Sequence, residues 1–164
     1  SEFKKISTKF KSKLSLTPGG KSRAESVKNA FMRVSKESKN ILIHDGARPN
    51  VNDTLISEII NELNHHPMVI PGIPVTDTIK VISGKKIKKT LDRKTLTAVQ
   101  TPQGFHKNIL IECYEQITNI DQFTDEASLV ESIGIKGIIV PGSSKNIKIT
   151  EYSDIAILNS FINV

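Results

Sequence analysis

Polar and charged side chains gather around the ends of three predicted strands. They are Asp45, Arg48, Thr76, Asp77, Thr78, Lys148 and Thr150. In open α/β sheets, the ligand binds beyond the carboxyl ends of the strands. Carboxylates, hydroxyls and cations in combination suit a phosphorylated ligand that also carries hydroxyl groups. The sequence therefore predicts a site for such a ligand at one edge of a sheet.

Asp45 and Lys148 have the most specific predicted roles. Asp45 either helps to hold Mg²⁺ shared with phosphates or pairs with Arg48 and orders the loop, and the spacing favours neither. Lys148 lies between Asn146 and Thr150, and a strand places these three side chains on one face. There Lys148 would act as a fixed charge for a phosphate. The histidines have no metal-ligand spacing, so we do not expect a zinc site.

The stretch Gly19-Gly20-Lys21-Ser22 is similar to the end of a phosphate-binding P-loop. That motif also needs a glycine where this chain has Ser15, so the match fails. A glycine turn before a helix is the favoured interpretation. Its backbone N–H groups could still hold an anion or a base edge, with Arg23 and Ser26 one helical turn inside.

The stretch Thr124-Asp125-Glu126 could supply acid–base groups. Capping of a helix N-terminus is the favoured explanation, with Thr124 as the capping hydroxyl and the acids at the positive end of the helix dipole. No Ser/His/Asp or Cys/His set indicates a covalent nucleophile.

Residues 78–90 predict a β-hairpin that stands apart from the main sheet. Ile79, Val81 and Ile87 are β-branched, and the glycine of Ser83-Gly84 allows the positive φ of a tight turn. The hairpin carries lysines on both faces, namely Lys80, Lys85, Lys86, Lys88 and Lys89. A two-stranded ribbon is only marginally stable by itself. We therefore expect it to pack against another body, and a second copy of the chain is the simplest partner.

Length, charge and cysteine content exclude several classes of protein. The 164 residues are enough for a single domain with a core, spanning 1–164. The net charge of +6 favours an anionic partner, although the lysine clusters lack the interleaved aromatics of a nucleic-acid surface. The single Cys113 excludes an intramolecular disulfide, fits a reducing compartment and is expected to be a buried structural thiol. No apolar run approaches the ~20 residues of a membrane span.

Apolar runs that alternate with amphipathic segments predict an α/β sandwich with a mostly parallel sheet. Strands are expected at 13–16, 41–44, 68–73, 97–100, 137–142 and 147–150. Helices are expected at 24–35, 53–63, 109–117, 124–134 and from Ser153 onward, with Asp53 as the cap of the second. The first 13 residues predict a short surface helix or a frayed end.

Seven stretches, in order, resemble one enzyme family. They are GGKSRAESV, ILIHDGARP, PVTDTIK, TLDR, QTPQGF, TDEASLVE and NIKIT. Together they resemble the 2-C-methyl-D-erythritol 4-phosphate cytidylyltransferases of the non-mevalonate isoprenoid pathway. The resemblance implies a Rossmann-like nucleotidyltransferase fold, a three-layer sandwich, and a homodimer whose hairpin arm, about 77–92, wraps the partner subunit. It also implies transfer of CMP from CTP to the alcohol phosphate, with Mg²⁺ present and pyrophosphate released.

The resemblance assigns roles to individual residues. Arg93 and Lys148 match the two cations that position the substrate phosphate, with Arg93 reaching the neighbouring subunit's site. Contacts to the substrate are implied for Asp45, Arg48, Thr78, Thr101 and Thr124. Contacts to the nucleotide are implied for Gly20, Arg23, Ser26 and Gly46. The substrate phosphate attacks the α-phosphorus of CTP directly, so positioning and charge neutralisation supply the catalysis.

The chain departs from the family's pattern at two places. Lys21 follows the paired glycines, where the family usually has Asp. The family also begins with a strand and a Gly-rich loop whose Arg and Lys stabilise the triphosphate, and no G-x-G-x-x-R stretch precedes Gly19. We therefore expect an N-terminally incomplete domain, and expect the 164 residues by themselves to bind CTP poorly and turn over little.

Two other functions stay open on the sequence. Ribitol-5-phosphate cytidylyltransferases share the fold and chemistry, although DEASLVE and Ala47 favour the methylerythritol enzyme. A non-catalytic basic module for dimerisation or nucleic-acid binding would leave the polar groups at the strand ends without a role. The favoured interpretation implies no nucleic-acid or membrane partner, and a cytoplasmic or plastid-type location.

Overall fold

The computed structural model describes residues 14–162, so the prediction for 1–13 lies outside the described residues. Helices α1 to α5 in this part of the chain are Arg23–Phe31, Asp53–Glu62, Lys107–Gln116, Glu126–Glu131 and Tyr152–Ile162. Strands β1 to β7 are Asn40–Ile43, Met68–Pro74, Lys80–Ser83, Lys86–Thr90, Thr97–Val99, Gln103–His106 and Ile138–Pro141. Short 3₁₀ turns occur at Arg93–Thr95 and Ile120–Gln122.

Strand β2 is the centre of the main sheet. Strand β7 lies on one side of it, β5 and β6 follow each other along the other side, and β1 pairs with β6. Among these pairs, β2–β7 is parallel and the other three are antiparallel, so the prediction of a mostly parallel sheet is wrong for the pairing described. Two of the three antiparallel pairs involve β6, which the pattern of 101–105 did not reveal, and the third joins β2 to β5. Strand β6 runs between β1 and β2, against their shared direction.

Two apolar clusters pack on opposite faces of the main sheet. Along β2, Val69 belongs to one cluster, while its neighbours Met68 and Ile70 belong to the other, because successive side chains of a strand alternate. Helix α2 covers the first face, and helices α1, α3 and α4 cover the second. The residues that these helices contribute are Leu55 and Ile59 on one side and Phe31, Leu110, Cys113 and Val130 on the other. The predicted three-layer sandwich is confirmed.

Cys113 lies inside the second of these clusters. It is free and fully buried, and its thiol faces Leu129 O. Burial, helped by the nearby charge of Glu112, raises the pKa of the thiol to about 11. A thiol that stays protonated at neutral pH is a poor nucleophile. The structural role predicted for this cysteine is therefore supported.

Two helix caps lie one residue away from their predicted positions. Asn52, not Asp53, caps α2, and its side chain accepts a hydrogen bond from the N–H of Leu55. Asp125, not Thr124, caps α4 and forms a reciprocal capping box with Ser128. In both cases the capping side chain belongs to the residue whose backbone is extended just before the helix. The hydroxyl of Thr124 is therefore left out of the cap.

Strands β3 and β4 form a separate two-stranded sheet, as predicted. The turn lies at Gly84-Lys85, where Gly84 has a φ of 55°. Ile82 and Ile87 face each other across the ribbon and are 63% and 68% exposed. The hairpin lysines are exposed as well. The ribbon therefore buries little of its surface against the described part of its own chain.

Residues 14–16 and 147–150 are irregular, so both strand predictions are wrong for the residues described. An extended run becomes a strand only when a neighbour satisfies its backbone, and Ile149 donates a single bond, at 2.8 Å, to the carbonyl of Ala47. Among residues 14–162, no helix is both long enough and apolar enough to cross a membrane.

Gly104 lies in β6 directly against helix α2. A Cβ added there would lie 2.5 Å from Ile59 Cγ2 and 3.0 Å from Leu63 Cδ1. Because both neighbours are buried, we expect Gly104→Ala to lower the free energy of unfolding by about 1–3 kcal/mol. Gly46→Ala is the matched control, since nothing lies within 4 Å of its added Cβ. Urea denaturation measures both variants, and equal stabilities would contradict the packing described.

Candidate functional site

A cleft of about 230 Å³ lies where the end of β1, the β5–β6 junction and the start of α4 meet. Its lining residues are Arg23, Asp45, Arg48, Val99, Gln100, Thr101, Gln103, Thr124, Asp125 and Lys148. The predicted site residues within this set are Arg23, Asp45, Arg48, Thr101, Thr124 and Lys148. A wider groove of about 540 Å³ around Lys36, Asn64 and Lys107 is lined by no carboxylate and by none of the predicted residues.

Asp45 is the charged centre of the cleft. Lys148 Nζ lies 3.1 Å from Asp45 Oδ2, and Arg48 Nε lies 3.5 Å from the same oxygen. Burial by itself would raise the pKa of Asp45. The hydrogen bond from Lys148 and the charges of Lys148, Arg48 and Arg23 outweigh burial and hold that pKa below its usual range. The Asp45–Arg48 ion pair that the sequence left open is therefore present, and a lysine joins it.

The loop after β7 is held by buried side-chain amides rather than by a sheet. Asn146 is 1% exposed, and its Nδ2 donates to Thr101 O at 2.9 Å. Arg48 Nη1 donates to Asn146 O at 2.7 Å. Gln100 Nε2 donates to Ser143 O at 2.8 Å, and Gln100 Oε1 accepts from Ser143 N at 3.1 Å. These bonds place the loop, with its lysine, beside the end of β1.

Helix α4 brings two acids to the neighbourhood of the cleft. Glu126 is 3% exposed and forms a bidentate pair with Arg23, at 3.0 and 2.6 Å. Desolvation would lower the pKa of Arg23, but the hydrogen bond and the charge of Glu126 raise it above its ordinary value. Asp125 caps the helix with Oδ1 and accepts from Gln103 Nε2 at 2.7 Å with Oδ2. Both acids therefore have structural partners and lie at the start of α4, where the sequence placed them.

Three of the predicted nucleotide contacts lie beside the cleft and do not line it. The N–H of Gly20 donates to Ser26 Oγ at 2.9 Å, and Ser26 Oγ donates to Ser22 O at 2.7 Å, in the turn before α1. Gly46 lies in the loop after β1, with open space where a side chain would stand. Arg23 is the predicted nucleotide contact that does line the cleft.

Arg93 and Thr78 lie at the base of the hairpin, outside the lining of the cleft of their own chain. Both side chains are exposed, and Arg93 Nη1 donates to Thr76 O. The structure does not bring these two residues to Lys148. Their roles stay predictions that depend on a second subunit.

The cleft residues do not fit a metal ion held by the protein alone. Within residues 14–162, no group of three His, Cys, Asp or Glu side chains could hold such an ion. Asp45 Oδ2 is already shared by two cations, and Asp125 uses both of its oxygens. A role for Asp45 in binding Mg²⁺ therefore stays a prediction that requires phosphates to supply further ligands.

Gln100 is the lining residue whose importance sequence reasoning missed. It is 5% exposed, and both ends of its amide hydrogen-bond to the loop after β7. Its position as the last residue of a predicted strand, 97–100, was the available signal. That position does not reveal which distant loop the amide holds, because the partner, Ser143, is 43 residues away.

Asp45→Asn removes the carboxylate that two cations share. A carboxyl whose pKa is lowered by folding contributes stability above its unfolded pKa, near 3.8, and the contribution is lost as pH falls through the lower folded pKa. We expect the variant to be less stable than the parent at about pH 7, and expect the gap to close in acid. Thermal unfolding at several pH values measures this.

The control is Asp77→Asn, which alters an exposed carboxylate that forms no ion pair within the described residues. It should show no comparable gap. A stability gap for Asp45→Asn that stays constant from neutral to acid pH would contradict the charge network described.

The sequence matches one protein family and several of its individual members. The family model described as 2-C-methyl-D-erythritol 4-phosphate cytidylyltransferase matches residues 1–163. The protein of that name from Clostridioides difficile is 42% identical over 147 residues, covering 89% of this chain and 62% of that one. The one from Syntrophus aciditrophicus is 39% identical over 149 residues, covering 90% and 64%. The chain thus spans less than two thirds of the length of these two relatives.

Solved structures agree with the sequence match. The 4-diphosphocytidyl-2C-methyl-D-erythritol synthase from Anaerococcus prevotii superimposes with a TM-score of 0.89 at 28% identity, covering 99% of this chain and 76% of that one. The 2-C-methyl-D-erythritol 4-phosphate cytidylyltransferase from Thermus thermophilus gives 0.79 at 28% identity, covering 89% and 71%. The predicted α/β nucleotidyltransferase fold is confirmed. Fold, cleft and sequence agree that this chain belongs to the 2-C-methyl-D-erythritol 4-phosphate cytidylyltransferase family.

Proposed function

We propose that the protein transfers CMP from CTP to 2-C-methyl-D-erythritol 4-phosphate. A phosphate oxygen of the alcohol phosphate attacks the α-phosphorus of CTP and forms a new P–O bond. The bond from the α-phosphorus to the bridging oxygen breaks, and its electron pair leaves on pyrophosphate. Membership of the family supports this reaction. The observation that carries the proposal is the cleft, where Lys148, Arg48 and Arg23 lie together with the hydroxyls of Thr101 and Thr124.

Lys148 is the cation best placed to meet the substrate phosphate. Its side chain is 47% exposed, whereas that of Arg48 is 11% exposed and is anchored to Asn146 O. A phosphate monoester carries more negative charge than one carboxylate, so it can draw Lys148 away from Asp45. Asp45, once released, can accept hydrogen bonds from hydroxyls of the substrate. Neutralising the repulsion between two anionic reactants is the main catalytic task in such a transfer.

The cytidine end is proposed to bind along the turn before α1 and the loop after β1. Gly20, Arg23, Ser26 and Gly46 belong to these segments. The open space around Gly46 leaves room for a nucleotide to approach the backbone. Arg23 is fixed by its bidentate pair with Glu126, so its free edge is held in one orientation at the cleft.

We propose that Mg²⁺ enters with the triphosphate of CTP. Mg²⁺ in proteins is usually bound by one or two carboxylates together with substrate phosphates, and it supplies positive charge to the transferring group. Asp45 is the lining carboxylate that a phosphate would free from Lys148. Omission of Mg²⁺ from the assay described next tests this proposal.

Pyrophosphate release from CTP and 2-C-methyl-D-erythritol 4-phosphate tests the reaction, with the protein expressed from its complete reading frame. We expect Mg²⁺-dependent turnover that falls about 100-fold or more in Lys148→Ala, because a charge aimed at the reacting phosphate is lost. Lys145→Ala is the matched control, since this lysine lies in the same loop but does not line the cleft. Absence of turnover, or a preference for ribitol 5-phosphate over 2-C-methyl-D-erythritol 4-phosphate, would contradict the proposal.

A homodimer that shares its sites is part of the proposal. Arg93 and Thr78 lie at the base of the hairpin, away from their own cleft, and Ile82 and Ile87 expose apolar surface on the ribbon. A second subunit would cover the isoleucines and receive Arg93 beside its own Lys148. Each site would then take a cation from the neighbouring chain.

The dimer proposal separates the two roles of the hairpin. Arg93→Ala should reduce turnover about 10-fold or more while the dimer stays intact, because it removes charge and little apolar area. Replacing residues 79–90 by a short turn should abolish both activity and dimer. Sedimentation velocity and pyrophosphate release measure the two effects. A trimmed protein that stays dimeric contradicts the proposed role of the hairpin in assembly.

Membership of the family does not favour a non-catalytic basic module or a ribitol-phosphate enzyme. Nucleic-acid binding with a steep salt dependence would instead support the non-catalytic basic module. Each counterion released on binding makes the affinity fall more steeply as the salt concentration rises. We also propose a cytoplasmic location, which the bacterial origin of the relatives supports.

A further inference from the structure

We propose that His44 is a positioning residue that fixes the direction of the Thr101 hydroxyl, so that Thr101 offers the cleft a hydrogen-bond acceptor and no donor. Thr101 would then recognise a hydroxyl of the alcohol substrate rather than its phosphate. The inference rests on the function proposed above, because it concerns which part of that substrate meets Thr101. His44 itself does not line the cleft.

The imidazole ring of His44 is held at both nitrogens. Nε2 lies 2.9 Å from Arg48 O, and Nδ1 lies 2.9 Å from Thr101 Oγ1. A backbone carbonyl can only accept a hydrogen bond, so Nε2 must carry the proton. A neutral imidazole with its proton on Nε2 has a lone pair on Nδ1. In the neutral ring, the hydroxyl of Thr101 therefore donates to Nδ1.

The remaining capacity of the Thr101 hydroxyl follows from a count of its bonds. A threonine hydroxyl has one proton to donate and two lone pairs with which to accept. The proton goes to His44, and the backbone N–H of Asp45 takes one lone pair, at 2.9 Å. One lone pair is left. Thr101 lines the cleft and is 7% exposed, so this lone pair is what the hydroxyl can offer to a ligand there.

An acceptor of this kind discriminates between the two ends of the proposed substrate. The oxygens of an ionised phosphate can only accept, so they gain no hydrogen bond from Thr101. A carbon-bound hydroxyl can donate, and it satisfies the lone pair. Lys148 lines the same cleft and supplies the donors that a phosphate needs. If Nδ1 of His44 carried a proton instead, the Thr101 hydroxyl could turn and donate to a phosphate.

The tautomer is read directly by NMR. Long-range ¹H–¹⁵N correlation spectra of protein labelled with ¹⁵N-histidine, at about pH 8 where an ordinary imidazole is neutral, separate the two tautomers. His44→Gln assigns the resonance by its disappearance. We expect a proton on Nε2 and none on Nδ1. A proton on Nδ1, alone or together with one on Nε2, overturns the proposal, and this measurement needs no turnover.

Two substitutions of His44 separate its hydrogen bonds. The amide of His44→Asn reaches the position of Nδ1 and can accept from Thr101, whereas that of His44→Gln reaches the position of Nε2 and can donate to Arg48 O. Thr101→Val removes the hydroxyl and keeps the shape. The probes are 2-C-methyl-D-erythritol 4-phosphate and analogues that each lack one of its hydroxyls. Urea denaturation confirms that each variant is folded.

With the parent substrate, kcat/KM should fall roughly 10-fold in Thr101→Val and in His44→Gln, and should change much less in His44→Asn. With the analogue that lacks the contacted hydroxyl, Thr101→Val should cost nothing further. An equal loss on the parent substrate and on every analogue overturns the proposal, because Thr101 would then contact no hydroxyl. If the unsubstituted protein turns over none of these substrates, the proposed function fails, while the NMR spectrum still decides the state of His44.

Discussion

The carboxylate of Asp45 is the constraint on which the cleft depends. It draws Arg48, from its own loop, and Lys148, from the loop after β7, to one oxygen. Without it, two cations would face each other in a partly buried space, where repulsion is stronger than in water. Asp45 and Lys148 are about a hundred residues apart in the sequence. The cleft therefore forms only when the folded sheet has brought their two loops to the same edge.

In the polar network around Asp45, some buried atoms form hydrogen bonds and others have no hydrogen-bond partner. Four buried side-chain atoms have no hydrogen-bond partner in the described structure, namely Arg48 Nε, Gln103 Oε1, Asn146 Oδ1 and Tyr114 Oη. Arg48 Nε still has its ion pair with Asp45, at 3.5 Å. Each of the other three, which has no partner, typically costs about 1–3 kcal/mol. Arg48 and Gln103 line the cleft, and Asn146 anchors its rim. Three of the four atoms therefore belong to the cleft or its rim, whereas Tyr114 packs against the core. Polar groups left incomplete at a cleft are typical of a site arranged for a ligand rather than for stability alone.

Sequence patterns correctly predicted the elements whose conformation is set by neighbouring residues in the sequence. The hairpin follows from its β-branched runs and a glycine at positive φ, and the helices follow from their apolar faces. Strand β6 was missed because Pro102 and Gly104 interrupt any strand pattern, and only its burial between β1 and β2 makes it a strand. The alternation of 147–150 looks the same in a strand and in an extended loop. What decided the outcome was the absence of a neighbouring strand in the described sheet.

In the cleft too, some residues were predictable from local sequence, while others depend on contacts between distant parts of the chain. Asp45, Arg48 and Lys148 were predictable as charged groups near the ends of apolar runs, because that is where α/β sheets bind ligands. The pair Arg23–Glu126 was not, since its partners are 103 residues apart and either residue would serve equally well on a solvated helix. The hydrogen bonds of Gln100 and His44 likewise depend on which backbone carbonyls the fold places opposite them.

The cleft separates hydrogen-bond donors from acceptors. Lys148 offers donors at its exposed end, while Thr101 has one lone pair left and Asp45 offers carboxylate oxygens once its lysine moves to a phosphate. Both acceptors belong to one bonded unit, because the backbone N–H of Asp45 donates to Thr101 Oγ1. A molecule with a phosphate at one end and hydroxyls along its chain complements that arrangement. A diphosphate of similar length would place its acceptor oxygens against acceptors of the cleft, so the alcohol phosphate that we propose as substrate matches the cleft in polarity as well as in charge.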